Sequence, residues 1–90
     1  MAGTLKALRA LSDPTRLRIV ALLERSELSV HELQEITRMG QSRISTHLGL
    51  LQESALLESR REGKRTFYRI ISHADPTTNE FIQLLSLIHI

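Results

Sequence analysis

Ser29–Leu57 reads SVHELQEITRMGQSRISTHLGLLQESALL, two short amphipathic helical patterns broken at Gly40. Ser29 begins the first as a cap, and Glu32 three residues on completes a capping box. Val30, Leu33 and Ile36 are expected to form its buried stripe, with Thr37 to Gly40 as the turn. The second pattern predicts a helix over Gln41–Glu53. Ile44, Leu48 and Leu51 recur at three- to four-residue spacing and face a core. Gln41, Ser42, Arg43, Ser45, Thr46 and His47 are left as its polar side.

The flanks extend this unit in both directions. Leu5, Leu8 and Leu11 recur every three residues and predict a first amphipathic helix. Asp13-Pro14 is a helix start: Asp accepts from free N–H groups, and Pro has none to satisfy. The helix through Arg25 carries Leu17, Val20 and Ala21 on one stripe, widened by Ile19, Leu22 and Leu23, so it is central to the core. Arg16 and Arg18 fall in its first two turns, on a solvated face or within reach of a phosphate. Downstream, Leu56–Arg60 and Thr66–Ile71 have strand character, with Glu62-Gly63 as the turn. Phe67 and Tyr68 point to opposite faces, one toward the core. Asp75-Pro76 opens a terminal helix with Phe81, Ile82 and Leu85 on one side. The expected order is α-α-α-α-β-β-α: mainly α with a small β-hairpin, a winged helix-turn-helix.

Ninety residues make one small domain. Such a chain buries only about 60–65% of its unfolded surface, so self-association would help cover leftover apolar area. The chain has no Cys. That removes disulfides, thiolate metal sites and a cysteine nucleophile, and leads us to expect a cytoplasmic protein. No basic-then-apolar leader opens the sequence and no stretch has the length and apolarity of a membrane span. The net charge is only +2, but it is unevenly placed. Residues 1–37 carry five cations and five anions; residues 38–72 carry seven cations and three anions, an excess of four. The positive charge therefore sits on the second helix of the pair and on the hairpin, as a phosphate-facing surface requires.

A helix face of Ser, Thr, Gln, Arg and His suits base edges in a DNA major groove, where Arg reads guanine and Gln reads adenine. Gln41, Arg43 and Ser45 are the candidates for base discrimination, with Ser42, Thr46 and His47 at the groove edge. Arg60, Arg61, Lys64 and Arg65, together with Thr66, are the candidates for phosphate contact. A polar helix face alone is usually just solvated, and so is a charged loop. Their adjacency in this order favours double-stranded DNA as the partner. His47 is read first as a base or phosphate contact, then as a hydrogen-bonding helix residue, then as a metal ligand. His31 makes a surface pair with Glu35, and His73 is structural or idle. A winged helix used for protein contact is the competing binding class.

Three segments resemble the ArsR-type family of bacterial winged-helix transcriptional regulators: LKALRALSDPTRLRIV (Leu5–Val20), QSRISTHL (Gln41–Leu48) and RREGKRTFYRI (Arg60–Ile70). The resemblance runs from Leu5 to Ile71. It implies a homodimer whose first and last helices pack across a two-fold axis, through Leu5 and Leu8 of the first and Phe81 and Ile82 of the last. It further implies a repressor that lays its fourth helix in the major groove of a palindromic operator, with the hairpin on the flanking backbone. The metalloid sensors of the family carry Glu-Leu-Cys-Val-Cys-Asp-Leu in the third helix. Here Ser29 and His31 stand where the thiolates would be, so no thiolate metal site is expected. Asp75, Glu80 and His89 lack the spacing of the terminal-helix zinc site, so no metal and no cofactor is expected. The inducing ligand is not specified by these residues. The pattern also resembles members fused to an S-adenosylmethionine-dependent methyltransferase. No Gly-rich cofactor loop or acid–base pair lies in these residues, so an enzymatic activity would belong to sequence beyond them. Leu85–Ile90, LSLIHI, matches a one-frame translation of a sequencing-library transposase adapter. Residues 1–84 are accordingly expected to form the domain and 85–90 to be read-through.

Overall fold

The computed structural model describes residues 2–71 and Glu80. It contains α1 (Ala2–Ala10), α2 (Pro14–Arg25), β1 (Leu28–Ser29), α3 (Val30–Thr37), α4 (Gln41–Glu53), β2 (Leu57–Glu62) and β3 (Arg65–Ile70). The first four expected helices and the hairpin are present. The terminal-helix expectation, with Phe81, Ile82 and Leu85, and the read-through expectation at 85–90 lie outside the described residues, as does His73. Among the described residues no helix is long and apolar enough to cross a membrane.

The helix starts follow from their caps. Asp13 is extended and its carboxylate accepts from the Arg16 amide at 3.0 Å, with Pro14 in the first turn. Ser29 Oγ accepts from the Glu32 amide at 3.1 Å while Glu32 Oε1 accepts from the Ser29 amide at 2.9 Å. This reciprocal box satisfies two N–H groups that the first turn leaves without helical partners. α3 ends at Arg38, which is left-handed at φ 62°, ψ 22° and donates its amide to Gln34 O at 2.8 Å. Gly40, by contrast, is extended at φ −70° and simply precedes α4. The left-handed position of the turn is therefore held by an arginine, at a steric cost that a glycine would avoid. At the hairpin tip Gly63 takes φ 62°, where its missing Cβ is needed.

Every helix and the base of the hairpin feed one core. Ile19, Leu33, Ile44, Leu48, Leu51 and Leu56 are fully buried. One stripe differs from the sequence expectation. Ile36 is 44% exposed, because a strict three-residue spacing drifts about 60° per step around a helix. Thr37, four residues after Leu33, turns inward instead, and its hydroxyl donates to Leu33 O at 2.7 Å and accepts from the Met39 amide at 3.3 Å. In α1 Ala7 and Ala10 are buried, as is Leu11 one residue past its end, while Leu8 is half-buried and Leu5 is 51% exposed. Small alanines let α1 approach the α4 side of the core.

The sheet has three strands rather than two. β3 lies centrally in the order β1-β3-β2, all antiparallel. Leu28 pairs with Tyr68 and Ser29 with Phe67, while Arg60 faces Phe67 from the other side. Two residues of β1 carry no alternation of their own, so the pattern rule had nothing to read. This short strand fixes the hairpin beside α3, and Ser29 serves both as sheet partner and as helix cap. Tyr68 packs against the core and Phe67 lies on the opposite face, as alternation requires.

Candidate nucleic-acid interface

α4 turns its apolar residues inward and leaves Gln41, Ser42, Arg43, Ser45 and Thr46 exposed. Successive residues step about 100° around a helix. Ser42 and Thr46 therefore point most directly away from Ile44 and Leu48. Gln41 and Ser45 lie to one side and Arg43 to the other. Gln41, Ser42, Ser45 and Thr46 line one shallow depression. The Thr46 hydroxyl donates back to Ser42 O at 3.0 Å, leaving its oxygen lone pairs free to accept. No side chain caps α4, so its first amides remain open toward solvent.

The wing approaches the same end of α4. Gln41 shares one cleft with Lys64, Arg65 and Thr66 of the hairpin and with Ser29, Val30, His31 and Gln34. Two segments more than twenty residues apart are thus joined into one polar, cationic surface. Among the described residues Arg43, Arg61, Lys64 and Arg65 make no ion pair with a carboxylate. Arg61 Nε donates only to Gly63 O, at 3.3 Å. His31 and Glu35 form the expected surface pair, 2.6 Å apart.

Arg60 stands differently. Its guanidinium is held by Glu27 and Glu62, each with a closest approach of 2.6 Å. The hydrogen bonds from Arg60 hold the Glu27 carboxyl below its ordinary pKa, and the two carboxylates raise that of Arg60. Arg69 pairs with Glu58, its cross-strand neighbour. The Asp13 carboxyl is likewise lowered, first by the hydrogen bond from the Arg16 amide.

Arg16, which the sequence offers to solvent or to a phosphate, is half-buried. Its Nε donates to Ala10 O at 2.6 Å, and Nη1 lies 3.4 Å from His47 Nδ1. One guanidinium thereby joins the end of α1 to the flank of α4. Of the roles weighed for His47, this geometry is that of a hydrogen-bonding helix residue. Among the described residues no cluster of three or more His, Cys, Asp or Glu side chains could hold a metal ion. Sequence reasoning missed Glu27 and the Arg16–His47 contact, since partners 33 and 31 residues apart leave no periodic signal.

Comparison with known proteins agrees with this geometry. Residues 13–59 match the family described as bacterial regulatory protein, arsR family. The chain is 44% identical over 63 residues to a biofilm growth-associated repressor of Xylella fastidiosa, covering 70% of this chain and 55% of that protein. It thus spans about half the length of that curated relative. HlyU from Vibrio cholerae superposes with a TM-score of 0.84 at 31% identity, covering 98% of this chain and 92% of that one. The homodimeric winged helix-turn-helix DNA-binding domain Mb0332 from Mycobacterium bovis gives 0.79 at 30%, covering 97% and 78%. The chain belongs to the bacterial arsR family of regulatory proteins and has the winged helix-turn-helix fold.

Proposed function

We propose that this chain is a cytoplasmic, sequence-specific DNA-binding transcriptional regulator, a homodimeric repressor of a palindromic operator rather than an enzyme. The observation that carries the reading is the cleft in which Gln41 of α4 meets Lys64, Arg65 and Thr66 of the wing. A polar helix end beside cations that make no ion pair among the described residues suits a groove wall and its adjacent phosphates. Gln41, Arg43 and Ser45 would read bases, with Ser42, Thr46 and His47 beside them. Arg61, Lys64 and Arg65 would hold phosphates, with Thr66. Arg60 is the exception, its guanidinium already being engaged by Glu27 and Glu62.

The half-exposed Leu5 and the partly covered Leu8 support a second copy packing along α1. The homodimeric state of Mb0332 supports the same assembly. The repressor relative from Xylella fastidiosa supports the direction of control. Ser29 supplies no thiolate and is spent on capping α3, so thiolate metal sensing is not part of the proposal.

Selection of bound duplexes from a random pool tests the reading. The expected product is a two-fold symmetric site, and Arg43→Ala should cost about 1–3 kcal/mol at one base position within it. A pool that never converges would refute sequence-specific recognition. Equal losses on all sequences would make Arg43 a phosphate contact.

A further inference from the structure

The half-exposed Arg60 side chain meets three partners, Glu27, Glu62 and Phe67. Nε donates to Glu27 Oε1 and Oε2 at 3.0 and 3.1 Å, and Nη2 donates to Glu27 Oε1 at 2.6 Å. Nη1 donates to Glu62 Oε2 at 2.6 Å. Its Cζ lies 4.7 Å from the centroid of the Phe67 ring, within the range of a cation–π contact. The register sets Ser29, Phe67 and Arg60 in one row across the three strands. Glu27 immediately precedes β1, so its carboxylate reaches across β3 to grasp β2. Two residues later the chain caps α3 through Ser29. The ion pair therefore ties the hairpin to the base of the helix-turn-helix.

We propose that Glu27, Arg60 and Phe67 form a clamp that fixes the angle of the wing to α4. Glu27 and Arg60 are then positioning residues, and the phosphate contacts belong to Arg61, Lys64 and Arg65. The inference rests on the DNA-binding reading above. A planar guanidinium gripped twice by one carboxylate has its direction set. To reach a phosphate, Arg60 would have to release both carboxylates and leave them unpaired beside a polyanion. That exchange trades two anionic partners for one. The clamp retains both and uses the cation to hold the hairpin, whose tip carries Arg61, Lys64 and Arg65.

The test uses the whole chain and mixed-sequence duplex DNA. Glu27→Gln removes a negative charge near a DNA-facing surface, so simple Coulomb attraction predicts tighter binding. The clamp predicts the reverse, binding weaker by about two- to fivefold, the scale of a partly exposed ion pair. The salt dependence should stay unchanged, because no phosphate contact is lost. The double variant Glu27→Gln with Arg60→Gln restores the net charge and should lose no more than either single variant. Tighter binding by Glu27→Gln with steeper salt dependence would make Arg60 a released phosphate ligand and overturn the clamp.

Hydrogen exchange of the free protein gives a reading independent of DNA. Glu27→Gln should speed exchange in β2 and β3 while leaving the amides around Leu48 unaltered. Unaltered exchange in both strands would overturn the clamp whatever the DNA result. Wild-type protein that fails to bind duplex DNA at low salt would instead overturn the DNA-binding reading, with the exchange test of the clamp still decisive.

Discussion

Lys64→Ala combined with Arg65→Ala should flatten the salt dependence of DNA binding by a calculable amount. Both side chains are exposed and unpaired among the described residues, as is Arg61. Each neutralised phosphate contributes about 0.9 to the slope of log K against log salt. Three contacts per wing in a two-winged dimer give a slope of about −5.4, or a loss of roughly two-thousandfold between about 50 and about 200 mM salt. Removing two of the three on each wing leaves a slope of about −1.8 and a loss of roughly twelvefold. Fluorescence anisotropy of a labelled duplex across that range measures both slopes. Exposed hairpin positions lie away from the core, so stability should change by no more than about 0.5 kcal/mol. A variant slope equal to that of the wild type would refute the assignment of the wing tip to phosphate.

Three further expectations concern stability. Ser29→Ala removes the acceptor for the Glu32 amide at a position only 1% exposed, where water cannot replace it. It should cost about 1–2 kcal/mol in urea unfolding, and a loss of a few tenths or less would mean the cap is idle. Ala55 is exposed at φ 57°. Ala55→Gly relieves about 1–2 kcal/mol of left-handed strain against about 0.5–1 kcal/mol of added chain entropy, so a net gain is expected; a lowered melting temperature would contradict it. Asp13 and Glu27 have lowered carboxyl pKa values. Their stabilisation is fully present above the ordinary carboxylate values and disappears as pH falls through the lowered ones. Acid unfolding curves of Asp13→Asn, which keeps a capping acceptor, should be shallower below about pH 4; curves parallel to wild type would remove Asp13 from the acid transition.

Local chemistry made most of the fold legible. Asp13-Pro14 and the Ser29–Glu32 box are complete within four residues, so each helix start could be read directly. Ile44, Leu48 and Leu51 keep true helical spacing, and all three are fully buried. Ile36 is where the spacing misleads: Val30, Leu33 and Ile36 step by three and drift outward, while Thr37 takes the inward place. Thr37 is polar, and its bonds to the Leu33 carbonyl and the Met39 amide make it acceptable there. At the site, the exposed row of α4 was visible because its complement is apolar. What stayed hidden depends on distance in space. Nothing local distinguishes Arg60 from Arg61, yet the fold gives one two carboxylates and, among the described residues, leaves the other without one. β1 was hidden for the same reason, since its two residues become a strand only through β3.

Amide hydrogen exchange of the whole chain, with and without duplex DNA, reports whether α4 and the wing meet DNA together. Added protection should be confined to Gln41–His47 of α4 and Arg61–Thr66 of the wing, and should fade as salt is raised. Protection that spares both segments, or that is indifferent to salt, would contradict that joint contact.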